Sequence, residues 1–309
     1  MTKLNVTPSG EGLGCRIEGL DLSRPFNDAD FALVLKSLGN SGVVCFPNQK
    51  LDAASLKAFA QRFGTLEINV ANSYQEPGLP EVMILSNKVE NGRPIGLSDA
   101  GQDWHTDMSY SDTIAFSNVL YAIEIPHRDG KPLGATEFSN MHAAFDDLPA
   151  ELKAKLDGRT ATHDFNKFWE EMRRRPGSTR APLTPEQRRQ KPPVSHPVFL
   201  THPITGRKVL YCNPGYAIAI DGLPAEESAE ILAFLFAHQL APKYRYVHRW
   251  SVGDVLMWDN LGTLHNAIAD YGAQEHRLIK RCQVMADWVL STPDLQSWIA
   301  KAAAPASAA

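Results

Sequence analysis

Residues 104–107, Trp-His-Thr-Asp, constrain the fold of this 309-residue chain more than any other stretch. If the segment is extended, His105 and Asp107 point to the same side, because side chains two residues apart on a strand share a face. An imidazole and a carboxylate placed in this way can bind one metal ion. A third ligand must come from a distant segment, and His265 is the candidate. The fold must then join two remote parts of the chain, unless His105 is only a buried structural histidine.

A second His-x-Asp sequence occurs at His127-Arg128-Asp129. It lies within residues 126–132, where glycine and two prolines are typical of a solvated turn. We interpret this copy as unrelated to metal binding. The first copy is followed by Met108-Ser109-Tyr110 and is more typical of a strand beside an apolar wall.

Composition excludes several classes of function. The formal net charge is −4 and no long basic run occurs, which argues against nucleic acid as a partner. No stretch approaches the ~18 apolar residues of a membrane span, and the first residues lack the apolar core of a secretory signal. We therefore expect a cytoplasmic protein that binds a small molecule and neither nucleic acid nor a membrane.

The four cysteines, Cys15, Cys45, Cys212 and Cys282, are widely spaced and form no Cys-x-x-Cys sequence. Such spacing favours buried free thiols in a reducing compartment over a disulfide framework or a zinc site.

Short apolar runs separated by glycine and proline, with a minority of helical patterns, predict a mostly β barrel or jelly roll with helical decoration. We expect one domain over residues 1–300 and a disordered tail over 301–309. The predicted helices cover residues 28–38, 53–63, 141–156 and 225–238. The main predicted strands cover residues 43–46, 81–85, 104–110, 115–125, 197–200, 209–212, 254–258 and 278–289.

Two segments are candidates for the surroundings of a site. Residues 91–102 are polar and rich in glycine, which predicts a loop at the mouth of the site. Residues 166–193 contain six arginines among proline and glutamine, with few apolar residues after Trp169. Long segments of this kind are usually functional or disordered. We interpret this one as a mobile lid, with a solvated surface excursion as the alternative.

Further residues suit a bound 2-oxo acid. Two histidines and a carboxylate are the ligands typical of non-haem Fe(II) oxygenases, and they leave open positions that a 2-oxo acid can chelate. Its far carboxylate would need a cation. Arg277 lies on the strand-like segment after His265, and guanidinium suits bidentate carboxylate binding. Arg281 would share its strand face, and the Thr136 hydroxyl could add a hydrogen bond.

Several motifs, taken in order, are similar to those of the TauD/TfdA (taurine/2,4-D dioxygenase) family of Fe(II)/2-oxoglutarate-dependent dioxygenases. The resemblance runs from about residue 4 to residue 290. Its motifs are Arg62-Phe63-Gly64, His105-Thr106-Asp107, Gly134-Ala135-Thr136, His163-Asp164-Phe165, Thr201-His202-Pro203, Trp258-Asp259-Asn260 with His265, and Arg277-x-x-x-Arg281.

The resemblance implies a double-stranded β-helix, or cupin-like jelly roll, in which His105, Asp107 and His265 hold Fe(II). It also implies that Thr136 and Arg277 bind the C5 carboxylate of 2-oxoglutarate. Family members consume 2-oxoglutarate and O2, release succinate and CO2, and hydroxylate a small anionic substrate. Relatives are commonly dimers or tetramers, so a homo-oligomer is expected.

Some positions depart from the family pattern. Arg277 lies one residue further from the distal histidine than is usual, and we interpret its neighbour His276 as structural. Asn69 and Asn72 stand where taurine dioxygenases have a histidine and a tyrosine, and Ala100-Gly101 stands where they have Asp-Asn. The chain therefore lacks the taurine-specific contacts.

The substrate class implied by the resemblance is an aryloxyalkanoate or sulfonate type of anion. In the family, Arg281 would lie near the anionic group of the substrate. Trp104, Phe165 and Tyr216 could form walls of the substrate pocket, or each could be ordinary core. The rival interpretation is a metal-dependent hydrolase or a non-catalytic binding protein on the same barrel.

Overall fold

The computed structural model describes residues 4–68, 74–175 and 180–302. Its strands are β1 Asn5–Pro8, β2 Cys15–Glu18, β3 Val43–Phe46, β4 Gln75–Glu76, β5 Leu79–Ser86, β6 Val89–Glu90, β7 Arg93–Pro94, β8 Ala115–Glu124, β9 His127–Arg128, β10 Lys131–Pro132, β11 Thr136–Asn140, β12 Thr160–His163, β13 Val194–Pro197, β14 Phe199–Thr201, β15 Lys208–Leu210, β16 Ala217–Ile220, β17 Arg245–His248, β18 Val255–Asp259, β19 Thr263–Ala267 and β20 Leu278–Met285.

Helices lie between groups of these strands and after the last one. They are α1 Asp28–Ser41, α2 Ala53–Ala60, α3 Met141–Asp146, α4 Ala150–Leu156, α5 Phe165–Arg173, α6 Pro185–Gln190, α7 Ala225–Gln239, α8 Asp287–Ser291 and α9 Leu295–Ala302, with 3₁₀ turns at Gln61–Phe63 and Pro242–Tyr244.

The strands form a large sheet faced by smaller ones. The large sheet has the order β1-β2-β3-β18-β8-β20-β5-β4, and β2 and β3 form its parallel pair. Strands β17-β11-β19 form a second sheet, and β13-β12-β16 and β14-β15 extend the structure. Because successive strands along the large sheet come from distant parts of the sequence, the chain winds between layers as a jelly roll does. The predicted mostly β jelly roll is confirmed.

Alternation along the strands divides the core between the two faces of the large sheet. On β3, Val43 and Cys45 face the interior between the sheets, where they join Phe138 of β11. Val44 and Phe46 face the other way, into the core that includes α1 and α2. Alternate residues of β3 thus pack into two different cores, as expected for a strand that is buried on both faces of its sheet.

The predicted helix over residues 28–38 is present and is longer than expected. The Asn27 side chain accepts a hydrogen bond from the Asp30 N–H and caps the start of α1. The helix continues past Gly39 and ends at Gly42, which has a φ of 66°. A left-handed residue at this position lets the Gly42 N–H bond the Leu38 carbonyl and close the helix.

Several predicted boundaries differ from the structure. The predicted helix over 141–156 is two helices, because Pro149 disfavours the helical conformation of Leu148 before it. Strand β20 ends at Met285, since the chain turns there into α8. The last helix continues to Ala302, so it includes the first two residues of the predicted tail. Residues 303–309 lie outside the described part.

Two further expectations concern the whole chain. The cysteines at 15, 45, 212 and 282 are all free and buried, as predicted. Within the described ranges, no helix combines the length and the apolar character that crossing a membrane demands.

Replacing Gly42 by alanine should destabilise the fold beyond the usual cost of a left-handed alanine. A Cβ at residue 42 would lie 2.7 Å from Leu13 Cδ2 and 2.8 Å from Thr263 Cγ2. Gly158 is the matched control, because its φ of 71° is similar but no atom lies within 4 Å of its Cβ position.

We expect Gly158→Ala to lower the free energy of unfolding by about 1 kcal/mol. Gly42→Ala should lower it by a further ~1–3 kcal/mol, as overpacking does. Urea denaturation of both variants measures the difference. If both variants lost the same free energy of unfolding, the packing around residue 42 would have room for a methyl group.

Candidate metal centre and its pocket

The segment that carries His105 and Asp107 is not the strand that the sequence predicted. His105 forms one isolated bridge with His265, in which each backbone N–H donates to the other carbonyl, at 3.1 and 2.9 Å. Asp107 lies in a turn. The extended run cannot continue because Asp103 and Met108 have φ values of 75° and 58°. The two ligand candidates nevertheless point to the same place.

The three candidate metal ligands converge, as predicted. His105 Nε2 lies 3.2 Å from Asp107 Oδ1, and His265 Nε2 lies 4.0 Å from Asp107 Oδ2. One ligand atom from each side chain lies within 4.8 Å of the other two, and all three residues are buried. Donors at these separations can share one cation, and two imidazoles with one carboxylate form the facial set that leaves coordination positions open.

Neighbouring groups orient these ligands. His105 Nδ1 lies 2.7 Å from the Asp103 carbonyl. Because a carbonyl only accepts, Nδ1 carries the proton and the lone pair of Nε2 faces the cluster. The Asn118 amide donates to Asp107 Oδ2 at 2.7 Å, and the Trp258 ring packs on His265 with centroids 4.8 Å apart. The chain thus holds each ligand through a second contact.

The charge states of the ligands also suit a metal. Burial raises the pKa of Asp107, but its contacts with His105, His265 and Arg281 outweigh burial and hold that pKa well below its usual range. Burial and the neighbouring His105 lower the pKa of His265 to about 3. An ionised carboxylate and a neutral imidazole are the forms that bind metal.

A cavity of about 180 Å³ opens above His105 and Asp107. One part of its wall is aromatic, and Arg281 enters it with Nη1 3.8 Å from Asp107 Oδ2. The aromatic side chains of the wall are Tyr110, Phe165, Phe168, Trp169 and Tyr216.

The structure therefore brings the predicted Phe165 and Tyr216 to the pocket but not Trp104. Trp104 packs against the core, with the Arg245 guanidinium 5.4 Å from its ring centre. The reason is alternation, because adjacent residues of an extended segment point to opposite sides. With His105 facing the cavity, Trp104 must face away from it.

The predicted lid is largely helical. Helix α5 supplies Phe165, Phe168 and Trp169 to the pocket wall, and α6 follows at Pro185–Gln190. Salt bridges join Arg175 to Asp103 and Arg180 to Asp99. A purely solvated excursion does not fit these contacts. Residues 176–179 lie outside the described part, and the mobility of the segment stays a prediction.

The predicted polar loop over residues 91–102 begins as the hairpin β6–β7 and then reaches the site. Leu97, Asp99, Ala100 and Gly101 line the cavity. Ala100 and Gly101, the positions that depart from taurine dioxygenases, are thus pocket positions. Asn69 and Asn72 lie outside the described residues.

Arg277 and Thr136 are both buried beside β11. A Cβ at Gly134 would lie 3.0 Å from Arg277 Cδ, and Thr136 accepts a hydrogen bond from Trp250 Nε1 at 3.1 Å. Thr136 and Phe138 are two residues apart on β11, and Phe138 is paired with His265. Thr136 therefore lies on the same strand face as the partner of a candidate metal ligand, and Arg277 packs against the turn just before it.

Arg277 is 8% exposed, and its guanidinium Nε has no hydrogen-bond partner in the described chain. Burial lowers the pKa of Arg277, while the neighbouring Tyr271 raises it. His276 is 41% exposed, with Nδ1 4.0 Å from Glu124, so it faces away from the site as predicted.

Sequence reasoning missed several residues that shape the site. Phe168, Trp169 and Met172 follow Phe165 at helical spacings of three, four and seven, a pattern that the few apolar residues around them obscured. Asn118 is a buried amide within the apolar strand β8, which is itself a signal of function. Gly215 lies against His105, and nothing in its local sequence indicates this contact.

A jelly roll that presents two histidines, a carboxylate and open space on one side defines the class of mononuclear facial-triad centres. Comparison with known proteins identifies the family within this class. The family model described as taurine catabolism dioxygenase TauD, TfdA family, matches residues 5–283. The chain belongs to this family and is a 2-oxoglutarate-dependent dioxygenase.

Two characterised relatives illustrate its range. The alpha-ketoglutarate-dependent 2,4-dichlorophenoxyacetate dioxygenase of Burkholderia sp. (strain RASC) is 33% identical over 92% of this chain and 95% of its own length. Pentalenolactone F synthase of Streptomyces avermitilis is 30% identical over 90% of this chain and 92% of its own length.

Solved structures agree with the fold. A taurine dioxygenase from Burkholderia xenovorans has a TM-score of 0.73 and 27% identity, covering 92% of this chain and 91% of that one. AAD-2 in complex with Mn(II) and N-oxalylglycine has a TM-score of 0.76 and 26% identity, covering 92% of this chain and 97% of that one.

Replacing Gly215 by alanine should weaken metal binding without abolishing the fold. The added Cβ would lie 2.6 Å from His105 Cβ, so the imidazole must shift. Gly272 is the matched control, since its Cβ would meet only Glu275 Oε2 at 3.6 Å, and neither glycine has a left-handed φ.

We expect Gly215→Ala to raise the Kd for Mn(II) by about 10- to 100-fold, the range seen when a ligand loses its orientation. Gly272→Ala should leave the Kd unchanged. Isothermal titration calorimetry with Mn(II) measures the Kd of each variant and of the wild type. An unaltered Kd in Gly215→Ala would mean that His105 does not bind the metal.

Proposed function

We propose that this enzyme hydroxylates a small aromatic organic anion and consumes 2-oxoglutarate and O2. His105, Asp107 and His265 hold the Fe(II). The observation that carries the proposal is the convergence of these three donors within 4.8 Å, with His105 and Asp107 lining a cavity that has five aromatic side chains in its wall. When bound, Fe(II) with 2-oxoglutarate and O2 supplies the oxidant that converts C–H to C–OH, while 2-oxoglutarate becomes succinate and CO2.

The Arg277 side chain supports a site for the far carboxylate of 2-oxoglutarate. A buried guanidinium without a carboxylate partner is costly, and within the described residues no acidic side chain forms an ion pair with Arg277. The Thr136 oxygen already accepts from Trp250, so the hydroxyl proton is free to donate to a carboxylate. A dicarboxylate bound there would satisfy both groups.

The cavity chemistry supports an aromatic anion as the substrate. Phe165, Phe168 and Tyr216 offer rings for stacking or edge contacts, which favour an aryl group. Arg281 supplies a positive charge close to the metal ligands, where the substrate carboxylate would be held. Its Nη2 lies 3.3 Å from Met83 Sδ, a weak acceptor that an anion can replace.

Relatives favour the same substrate class. Two of them act on aryloxy acids by name, 2,4-dichlorophenoxyacetate and (S)-phenoxypropionate. In an aryloxyalkanoate, hydroxylation of the carbon beside the ether oxygen gives a hemiacetal, which breaks to a phenol and an oxo acid. Phenol release is therefore a direct readout. Ala100 and Gly101 offer no charged group for the amine of taurine.

Within this scheme the protein orients substrate and limits access of water. The aromatic wall of α5 lies over the ligands, with the Phe168 and His105 ring centres 5.0 Å apart. Since an apolar wall displaces water from the reacting carbon, the oxidant meets substrate rather than solvent. A homo-oligomer is part of the proposal, but no step depends on it.

Two measurements test the co-substrate site. Anaerobic addition of Fe(II) and 2-oxoglutarate to the metal-free protein should produce a visible metal-to-ligand charge-transfer band. Asp107→Ala should remove the band, since one of three ligands is lost. A folded wild-type protein that binds Fe(II) but gives no band would contradict the proposal and favour a hydrolase or a binding protein.

The same band reports on Arg277. Arg277→Leu should shift the midpoint of the 2-oxoglutarate titration to about 10- to 100-fold higher concentration, as loss of a charge-assisted bond worth ~1.5–3 kcal/mol requires. The control is Arg207→Leu, which removes an exposed arginine paired with Asp146. A midpoint that moves equally in both variants would exclude a specific role for Arg277.

Phenoxyacetate tests the substrate class. The wild-type enzyme should release phenol and succinate in equal amounts, and taurine should be a poor substrate. Phe168→Ala should raise the KM for phenoxyacetate by about tenfold, because an aromatic contact of ~0.5–1.5 kcal/mol and buried area are lost. The KM for 2-oxoglutarate should not change.

Phe234→Ala is the control, because Phe234 is 45% exposed on α7. An equal rise in KM for phenoxyacetate in this variant, or faster turnover of taurine than of phenoxyacetate, would refute the aromatic-anion assignment.

A further inference from the structure

A second cluster of potential metal ligands lies apart from the triad, at one end of the large sheet. It consists of Cys45 on β3, His248 at the end of β17 and Asp254 just before β18. One ligand atom from each lies within 4.8 Å of the others. The three residues are 5%, 7% and 4% exposed, so the cluster is buried.

The histidine of this cluster is not satisfied by the protein. His248 Nε2 lies 3.4 Å from Asp254 Oδ2, yet it has no hydrogen-bond partner anywhere in the described ranges. The same Asp254 oxygen already accepts from the Ser251 N–H at 2.9 Å. A buried imidazole nitrogen without a partner is costly, and each such atom calls for an explanation. An ion bound between the three side chains would supply the missing interaction.

An access route to the cluster exists. A cavity of about 280 Å³ is lined by Cys45, His248 and Asp254, and its other walls include residues 7–9 at the end of β1. A small cation with its waters can enter a space of this size. The cluster is thus buried but not sealed.

We propose that Cys45, His248 and Asp254 form a second metal site that binds Zn²⁺ or another divalent cation with an affinity for sulfur. Sulfur, nitrogen and oxygen donors of this kind are the usual ligands of zinc. Two anionic ligands balance the charge of a divalent ion. As the metal–sulfur bond forms, the Cys45 thiol gives its proton to solvent. Three protein ligands leave a fourth position for water.

The cluster is linked to the triad region through β11. His248 is the β17 residue paired with Thr136, and its ring meets Trp250 edge-on with centroids 4.9 Å apart. The Trp250 indole in turn donates to Thr136 Oγ1. A metal bound to His248 would therefore be connected to Thr136 through the Trp250 side chain. None of the three residues of the proposed second site belongs to the triad.

Cobalt distinguishes the two sites, because a thiolate bound to Co(II) gives an intense near-ultraviolet charge-transfer band and the triad contains no thiolate. Co(II) titrated into the metal-free full-length protein should produce this band in the wild type. It should be absent in Cys45→Ala and unchanged in Cys282→Ala, which removes a buried thiol of β20 outside the cluster.

His248→Gln is the second variant and keeps the thiol. It should weaken the Co(II) affinity read from the band by about tenfold or more. Circular dichroism establishes that each variant is folded. A folded wild-type protein without the band, or a band that persists in Cys45→Ala, would overturn the proposal.

Discussion

The reciprocal backbone hydrogen bonds between His105 and His265 are the interaction on which the rest of the site depends. They join a turn-rich segment in the first half of the chain to strand β19 in its last quarter. Backbone hydrogen bonds fix the distance between two chain segments and their relative direction, whatever the side chains are. The bridge therefore sets the positions from which both imidazoles extend. Asp107 then needs only a turn to reach them. The remaining strands position the two partners of this bridge.

Burial around that bridge sets the chemistry of each ligand. Asn118 donates to the carboxylate and the Asp103 carbonyl fixes the tautomer of His105. Without these two hydrogen bonds, the Asn118 amide and the Asp103 carbonyl would lack these partners, and leaving a buried polar group without a hydrogen bond costs free energy. Arg277 and His248 indicate bound ligands for the same reason. Their buried nitrogens have unmet hydrogen-bonding capacity in the described chain, and in each case a missing ligand is the simplest remedy.

The sequence was sufficient to predict that His105, Asp107 and His265 converge, because their residue types are specific and the order of the motifs is unusual. The sequence was not sufficient to predict local backbone conformation where a single φ angle decides it. The φ values of Asp103 and Met108 replace the predicted strand by a bridge and a turn, and neither residue type requires them. Trp104 could have been pocket wall or ordinary core, and it packs against the core because alternation places it on the side opposite to His105. Cys45, His248 and Asp254 carry no motif, since only the folded sheet brings them together.

The location of the aromatic wall on α5 has an evolutionary consequence. Phe165, Phe168 and Trp169 belong to one short helix outside the large sheet, whereas the triad is tied to strand pairing and turn geometry. Substitutions in α5 can therefore reshape the cavity without moving a metal ligand. Changes in this helix can therefore alter which substrate the enzyme accepts, while the three converging side chains of the triad stay where the strands hold them.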